Sequence, residues 1–300
     1  MKYFIVDAFT SEPFGGNPAG VVLLDRDGDF PEDTFCVKVA RELRYSETAF
    51  VKRLDAHTFH LRYFTPESEV DLCGHATIGA FAALRRSGGI GDGDFRLRTR
   101  SGELRVSVCG GRVNMDMATP KALAEITDET ALTELYRIMG LNWAEQCAHA
   151  LTLPPQLVST GLPDIMLPVW SRGELARIEP NFPALAALSK RYGVVGVHAF
   201  TRDGGGATCH VRNFAPLYGI NEESATGTAN GALTYYGCLH GFIAAGDDCR
   251  FIQGEKLGRP SVVSTHIEKD GSGYAIRIGG EAVIVAEGEL LAVPRLYTPR

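Results

Sequence analysis

The segment HLRYFTP at residues 60–66 returns as HVRNFAP at residues 210–216, 150 positions later in a chain of 300. His, Arg, Phe and Pro keep their places. A chain that repeats itself must fold both copies by the same rules, so the repeat restricts the architecture more than any single motif. AF at 49–50 recurs at 199–200 with the same offset, and DLCGHATIGAFAAL at 71–84 pairs with SATGTANGALTYY at 224–236 after a three-residue insertion. GGNPAGVVLL at 15–24 weakly echoes STGLPDIMLPV at 159–169. Four matches in order point to a duplicated lobe. On this alignment Glu47 faces Val197, Cys73 faces Thr226 and His75 faces Thr228.

Each copy reads alike. A first strand (KYFIVDAF; QLVST) leads through a Gly/Pro turn into a second (AGVVLL; DIMLPV). A helix follows: PEDTFCVKVARELRY, with Pro31 in its first turn and Phe35, Val39 and Leu43 four apart, or FPALAALSKRYG, closed by Gly193. Two more strands, ETAFVKRL and HTFHLRYFTP in the first copy, come next. Then a glycine opens a second helix. GHATIGAFAALRRSGG and TGTANGALTYYGCLHG are mostly Ala, Gly and Thr, which suits a helix pressed on every face by a curved sheet. Arg85 and Arg86 complement the dipole at its end, with Gly88 and Gly89 as the stop. TELYRIMGLNWAE reads as one extra helix, and SVVSTHIE, YAIRIGG and AVIVAEGEL as strands that finish the sheet. The expected fold is α+β, two lobes with a sheet around a central helix in each. The first lobe is placed at 1–117 and the second at 118–286, with a terminal strand over 287–300 as a candidate to complete the first.

Composition removes several function classes. Lys and Arg number 30 against 36 Asp and Glu, a net charge of −6 without a basic run, so neither nucleic acid nor a membrane is an expected partner. No stretch approaches the ~18 apolar residues of a membrane span, and Asp7 interrupts MKYFIVDAF too early for a secretion signal. The seven cysteines stand singly without a CxxC, so reduced thiols and a cytoplasmic location are expected. The eight histidines show no metal-ligand spacing, and GDGDF and DGGG lack the helix and lysine of a nucleotide loop. Neither metal nor cofactor is expected.

The differences between the copies carry the chemistry. The two small-residue helices each offer unpaired N–H groups at a positive dipole end, which can hold an anion. The amides of Gly74, His75 and Ala76, and of Gly227, Thr228 and Ala229, are candidates for a carboxylate; the alternative is that these glycines only let strand and helix pack closely. An acid at Glu47 where the twin has Val197 suggests a buried glutamate with a raised pKa, as a catalytic acid or base needs; a surface glutamate beside Arg44 or Lys52 is the alternative. His75 is either functional or a core histidine satisfied by a carbonyl. Ser46 lacks the GxSxG context of a nucleophile and remains a substrate-binding candidate with Asn17 and Thr77.

Taken in order, DAF with F-x-GNPAGVV, SETAFV, RYFTP with EVDLCGHAT, FAP with ATGTA, and QGEKLGRPS resemble the PhzF-like family within the diaminopimelate epimerase superfamily, over essentially the whole chain. The resemblance implies two pseudo-symmetric lobes, each a mostly antiparallel barrel-like sheet around a central helix, with the active site in the cleft between them. It implies an isomerase in which Glu47 moves a proton between carbons of a cyclic dienyl carboxylate, while His75, Glu223 and Thr228 line the pocket. It also implies a homodimer without cofactor. Glu223 and Thr228 stand where the phenazine enzymes carry Asp and Ser, and Cys73 matches one of the two cysteine bases of the epimerases, whose partner position here is Thr226. A Cys73-dependent amino-acid epimerase and a non-catalytic carboxylate binder remain as alternatives.

Overall fold

The computed structural model describes residues 1–25, 28–149 and 153–291. The chain divides into two compact units, Met1–Met115 with Gly279–Arg300, and Asp116–Ile278.

In the first unit, β1 (Lys2–Ala8) and β2 (Asn17–Leu23) form an antiparallel pair. Helix α1 (Asp33–Leu43) then crosses over so that β3 (Thr48–Arg53) runs parallel to β2. A parallel neighbour requires such a crossover, whereas antiparallel neighbours need only a turn. β4 (Thr58–Phe64) returns antiparallel to β3, followed by the short β5 (Glu69–Val70) and helix α2 (Gly74–Arg86). That second crossover sets β6 (Gly93–Thr99) parallel to β4, and β7 (Gly102–Cys109) and β8 (Arg112–Asp116) continue as antiparallel hairpins. Pro31 lies outside α1, which starts after Glu32 and stops where Arg44 turns left-handed at φ 61°. Every residue of α2 from Gly74 to Leu84 except Ala82 is buried. Small side chains let the helix sink onto β1, β2 and β3.

The second unit contains β9 (Lys121–Glu125), α3 (Glu129–Ile138), α4 (Trp143–Ala148), β10 (Gln156–Ser159), β11 (Pro163–Pro168), α5 (Arg172–Arg177) and α6 (Phe182–Tyr192). It continues through β12 (Val197–Thr201), β13 (Cys209–Ala215), β14 (Ile220–Glu223), α7 (Gly227–Leu239), β15 (Asp248–Gln253), β16 (Ser261–Asp270) and β17 (Gly273–Gly280). Its pairings repeat the first unit's order. β10 and β11 are antiparallel, β11 and β12 parallel, β12 and β13 antiparallel, and β13 and β15 parallel. α7 is as enclosed as α2 and packs on β10, β11 and β16. The core beside the added helices gathers Leu135, Tyr136, Ile165, Leu185, Val197 and Phe214.

Three expectations change. TELYRIMGLNWAE is two helices, because Gly140 adopts φ 78°, Leu141 N–H turns back to Tyr136 O, and Asn142 caps the next helix by accepting from Ala144 N–H. The last strand, β18 (Ala282–Glu289), pairs antiparallel with β1 along its whole length. The chain therefore re-enters the first unit near Gly279 rather than at 287, and residues 292–300 of the expected terminal strand lie outside those described. Finally, the AF match is one residue out of register. Thr48 lies opposite Phe64, and in the twin it is Val197 that lies opposite Phe214. The first turn agrees, since Gly20 N–H donates to Glu47 O where Ile165 N–H donates to Gly196 O. The structural counterpart of Glu47 is Gly196, not Val197.

Candidate functional site

The repeated His-x-Arg-x-Phe segment builds the same device twice. Arg62 on β4 donates from Nε and Nη2 to the two carboxylate oxygens of Glu69 at 2.8 and 2.6 Å, and its guanidinium lies 5.0 Å from the Phe64 ring centre. Arg212 on β13 does the same to Glu222, at 2.8 and 2.8 Å, over Phe214 at 4.9 Å. A bidentate fork fixes orientation as well as distance. Each fork ties its strand to the segment that delivers the following helix start. The Arg62 hydrogen bonds and those of Arg100 hold the Glu69 carboxyl below its usual range, against a partial desolvation. The histidines of the two copies differ in use, with His60 packing edge-on to Phe30 and His210 Nδ1 meeting Glu255 at 2.6 Å.

At the start of α2, residues from two segments converge. Glu47 precedes β3, Cys73 is the N-cap, and His75 is the second helical residue. His75 Nε2 lies 3.3 Å from Glu47 Oε2 and 3.4 Å from Ser46 Oγ, and Cys73 Sγ lies 3.4 Å from His75 Nδ1. The side chains of His75 and Glu47 are 4% and 13% exposed. Glu47 Oε2 is enclosed without a partner of hydrogen-bond geometry, although it sits at ion-pair distance from the imidazole. The ligand atoms of Glu47, Cys73 and His75 all lie within 4.8 Å of one another. No side chain caps α2, whose first turn contains Gly74 and Ala76.

Asn17 is buried at the head of β2, opposite Ala8. The turn before it needs glycine: at Gly16, with φ 61°, a Cβ would stand 2.2 Å from Ala8 O. Thr77, expected to bind substrate, ties the helix start to β4. It is fully buried, its hydroxyl donates to Cys73 O at 2.7 Å and accepts from Tyr63 OH at 2.6 Å, and its N–H also goes to Cys73 O.

The second unit arranges a different set at the start of α7. Thr226, the N-cap, donates from Oγ1 to Glu223 Oε2 at 2.5 Å. Gln253 accepts from Thr226 N–H at 3.1 Å and donates to Glu223 O at 2.8 Å, while Asn230 Nδ2 donates to Thr226 O and to Gln253 Oε1. Gly227 and Thr228 open the helix, and Thr228 O accepts from Thr160 Oγ1. Gln253 is the organiser that the sequence reading did not single out, although it opens the quoted QGEKLGRPS. Gly254 beside it, at φ 78°, places a would-be Cβ 2.3 Å from Arg259 O, so the segment folds tightly behind Glu223. In the position of Tyr63 and Thr77 the twin carries Asn213 and Asn230, and Asn213 Nδ2 meets the buried His198 Nδ1 at 3.3 Å. Burial drives the His198 imidazole down to about 3, partly opposed by Asn230.

The seven cysteines are free thiols, and among the described residues no helix is long and apolar enough to cross a membrane. Comparison with known proteins gives a consistent result. The model of the PhzC-PhzF family, described as phenazine biosynthesis-like protein, matches residues 6–288. An uncharacterised isomerase of Clostridium acetobutylicum is 33% identical, over 95% of this chain and 96% of its own. The trans-2,3-dihydro-3-hydroxyanthranilate isomerase of Pseudomonas chlororaphis is 29% identical, over 96% of this chain and 99% of its own. The crystal structure of a PhzF-family phenazine biosynthesis protein from Bacillus anthracis superposes with a TM-score of 0.85 at 28% identity, covering 97% of this chain and 99% of that one. Motifs, mixed sheets and relatives agree: the chain belongs to the phenazine biosynthesis-like PhzC-PhzF family and is an isomerase.

Proposed function

We propose that the Glu47–His75 cluster moves a proton between carbons of a small cyclic carboxylate, with Glu47 as the acid/base. The observation that carries this is Glu47 Oε2, enclosed and without a hydrogen-bonded partner, 3.3 Å from His75 Nε2 at a helix start that no side chain caps. A carboxylate whose oxygen is not spent on a neighbour is available to a substrate C–H. The helix dipole favours negative charge nearby, so a substrate carboxylate fits the amides of Gly74 and Ala76, and Ser46 and His75 orient its ring. Enolate-like charge forming during transfer gains from the same fixed dipoles. Glu223, held by Thr226, together with Gly227 and Thr228, takes part in substrate binding, and Asn17 supports the first set. The relative named for trans-2,3-dihydro-3-hydroxyanthranilate supports a cyclic, unsaturated carboxylate as the substrate class. The enzyme acts without a cofactor, as a cytoplasmic homodimer of two lobes of common origin.

A second reading follows from Cys73 Sγ at 3.4 Å from His75 Nδ1, which would suit a thiol acting on the α-carbon of an amino acid. Incubation in D₂O with cyclic dienyl and amino carboxylates, followed by NMR, separates the two. Glu47→Gln is expected to lower label uptake or rearrangement by roughly 10²–10⁴-fold, with Cys73→Ala retaining most of it. Full turnover by Glu47→Gln with loss in Cys73→Ala would transfer the chemistry to the thiol.

A further inference from the structure

Glu47, Cys73 and His75 show no metal-binding spacing in the sequence, yet the fold brings the carboxylate that precedes β3 to the thiol and imidazole at the start of α2. We propose that these three side chains form a site for a thiophilic divalent cation, zinc in the first instance, and that filling it silences the enzyme. The silencing half rests on the acid/base role of Glu47; the binding half does not.

The three donors are gathered within reach of one such ion. Zinc bonds of about 2.3 Å to sulfur and about 2.0–2.2 Å to nitrogen or oxygen give tetrahedral edges of about 3.3–3.6 Å. His75 Nε2 stands 3.3 Å from Glu47 Oε2 and 3.9 Å from Cys73 Sγ, and the remaining edge is within 4.8 Å. Cys73 Sγ stands beside the other ring nitrogen, 3.4 Å from Nδ1, so rotation of the thiol about its Cα–Cβ bond brings it round to an ion held by Nε2 and Glu47. The donor set of one thiolate, one imidazole and one carboxylate selects zinc over magnesium or calcium, which prefer oxygen alone. Burial helps too, because Glu47 Oε2 is already enclosed without a hydrogen bond and a cation would satisfy it. On binding, Cys73 loses its proton to solvent. The thiolate, the imidazole lone pair and the carboxylate then supply three bonds, and a water or the substrate carboxylate the fourth. Glu47 in that state cannot accept a proton from carbon.

Cobalt(II) reports the site without any substrate. Titration of the metal-free protein is expected to give a one-equivalent thiolate-to-cobalt charge-transfer band with the intense visible bands of tetrahedral cobalt, reversed by one equivalent of zinc. Cys73→Ser, which keeps the exposed thiols of Cys109 and Cys147, is expected to lose the charge-transfer band. Glu47→Gln and His75→Asn are expected to weaken zinc at least about tenfold, since losing even a group that only supports a ligand costs 10–100-fold. Circular dichroism melts confirm that each variant folds. Wild-type titration with no such band, or one equally strong in Cys73→Ser, overturns the site and leaves the proton-transfer reading standing. Stoichiometric zinc with undiminished turnover leaves the site standing and overturns Glu47 as the acid/base.

Discussion

Asp164 shows how differently the two copies spend their buried polar residues. It lies on β11 beside Gly196, fully buried, with Oδ1 lacking any hydrogen-bond partner. Burial pushes its carboxyl up to about 7, against the Gly196 amide that favours the anion. Because the folded value lies above the ordinary one of 3.8, stability from this group is complete below about pH 4 and is lost as pH rises towards 7. Asp164→Asn removes the charge while keeping the shape. The variant is expected to match wild type near pH 4 and to exceed it at pH 8, by up to on the order of 4 kcal/mol, in paired urea titrations. An equal difference at both pH values would show that ionisation is not the cause. At this scale the sequence was legible in part. Motifs pointed to Glu47 and His75, and their approach within 3.3 Å joins residues far apart in the chain, which no spacing rule can read. Val197 does not report on the surroundings of Glu47, because a two-residue match cannot fix a strand register, where a slip of one exchanges the faces.

Among elements, the repeat is retained where it holds the backbone. Arg212 and Glu222 are 7% and 10% exposed, and Arg212 Nη1 also donates to Leu175 O and Ile178 O at the end of α5. Arg62 shares its load, since Asp33 and Arg100 also serve that cluster and its side chain is 18% exposed. Removing one partner of a buried ion pair leaves the other charge unpaired, at roughly 3–5 kcal/mol. Arg212→Met is therefore expected to lower the melting temperature well beyond Arg62→Met, and Arg212→Lys to recover little, because an ammonium cannot reach the carboxylate and both carbonyls at once. Equal melting temperatures for the two Met variants in calorimetry would show that the second fork is no more important than the first. Repeated strands and enclosed helices were readable because apolar periodicity and small-residue composition act locally. The break at Gly140 was not, since its neighbours keep a helical pattern across it. Strands β6 to β9 were left unassigned: the buried positions of β6 and β7, such as Phe95, Leu97 and Val106, alternate with charged ones in short hairpins, β9 is exposed throughout, and the four matches of the repeat lie elsewhere.

For the whole molecule the decisive fact is where the chain returns to the first unit. The first unit is not continuous: it pauses at Met115 and resumes at Gly279, so β1 gains its second neighbour only when Lys2 meets Glu289. A contact of that separation must close a loop nearly as long as the protein, at an entropy cost that grows slowly with length. What it secures is specific. β18 completes hydrogen bonding along β1 and packs on α2, the helix that presents Cys73 and His75. Without it, β1 becomes an open edge and one side of α2 loses its cover, while the second unit keeps its own sheet and helix. A chain ending at Glu281 is thus expected to lose amide protection in β1, β2 and α2 under hydrogen-exchange mass spectrometry, with β12, β13 and α7 still protected. It is also expected to lose the chemistry assigned to Glu47, since the helix that positions His75 is no longer held. Undiminished protection of α2 in the shortened chain would mean that β18 only covers an edge and that the helix start is fixed from within residues 1–115.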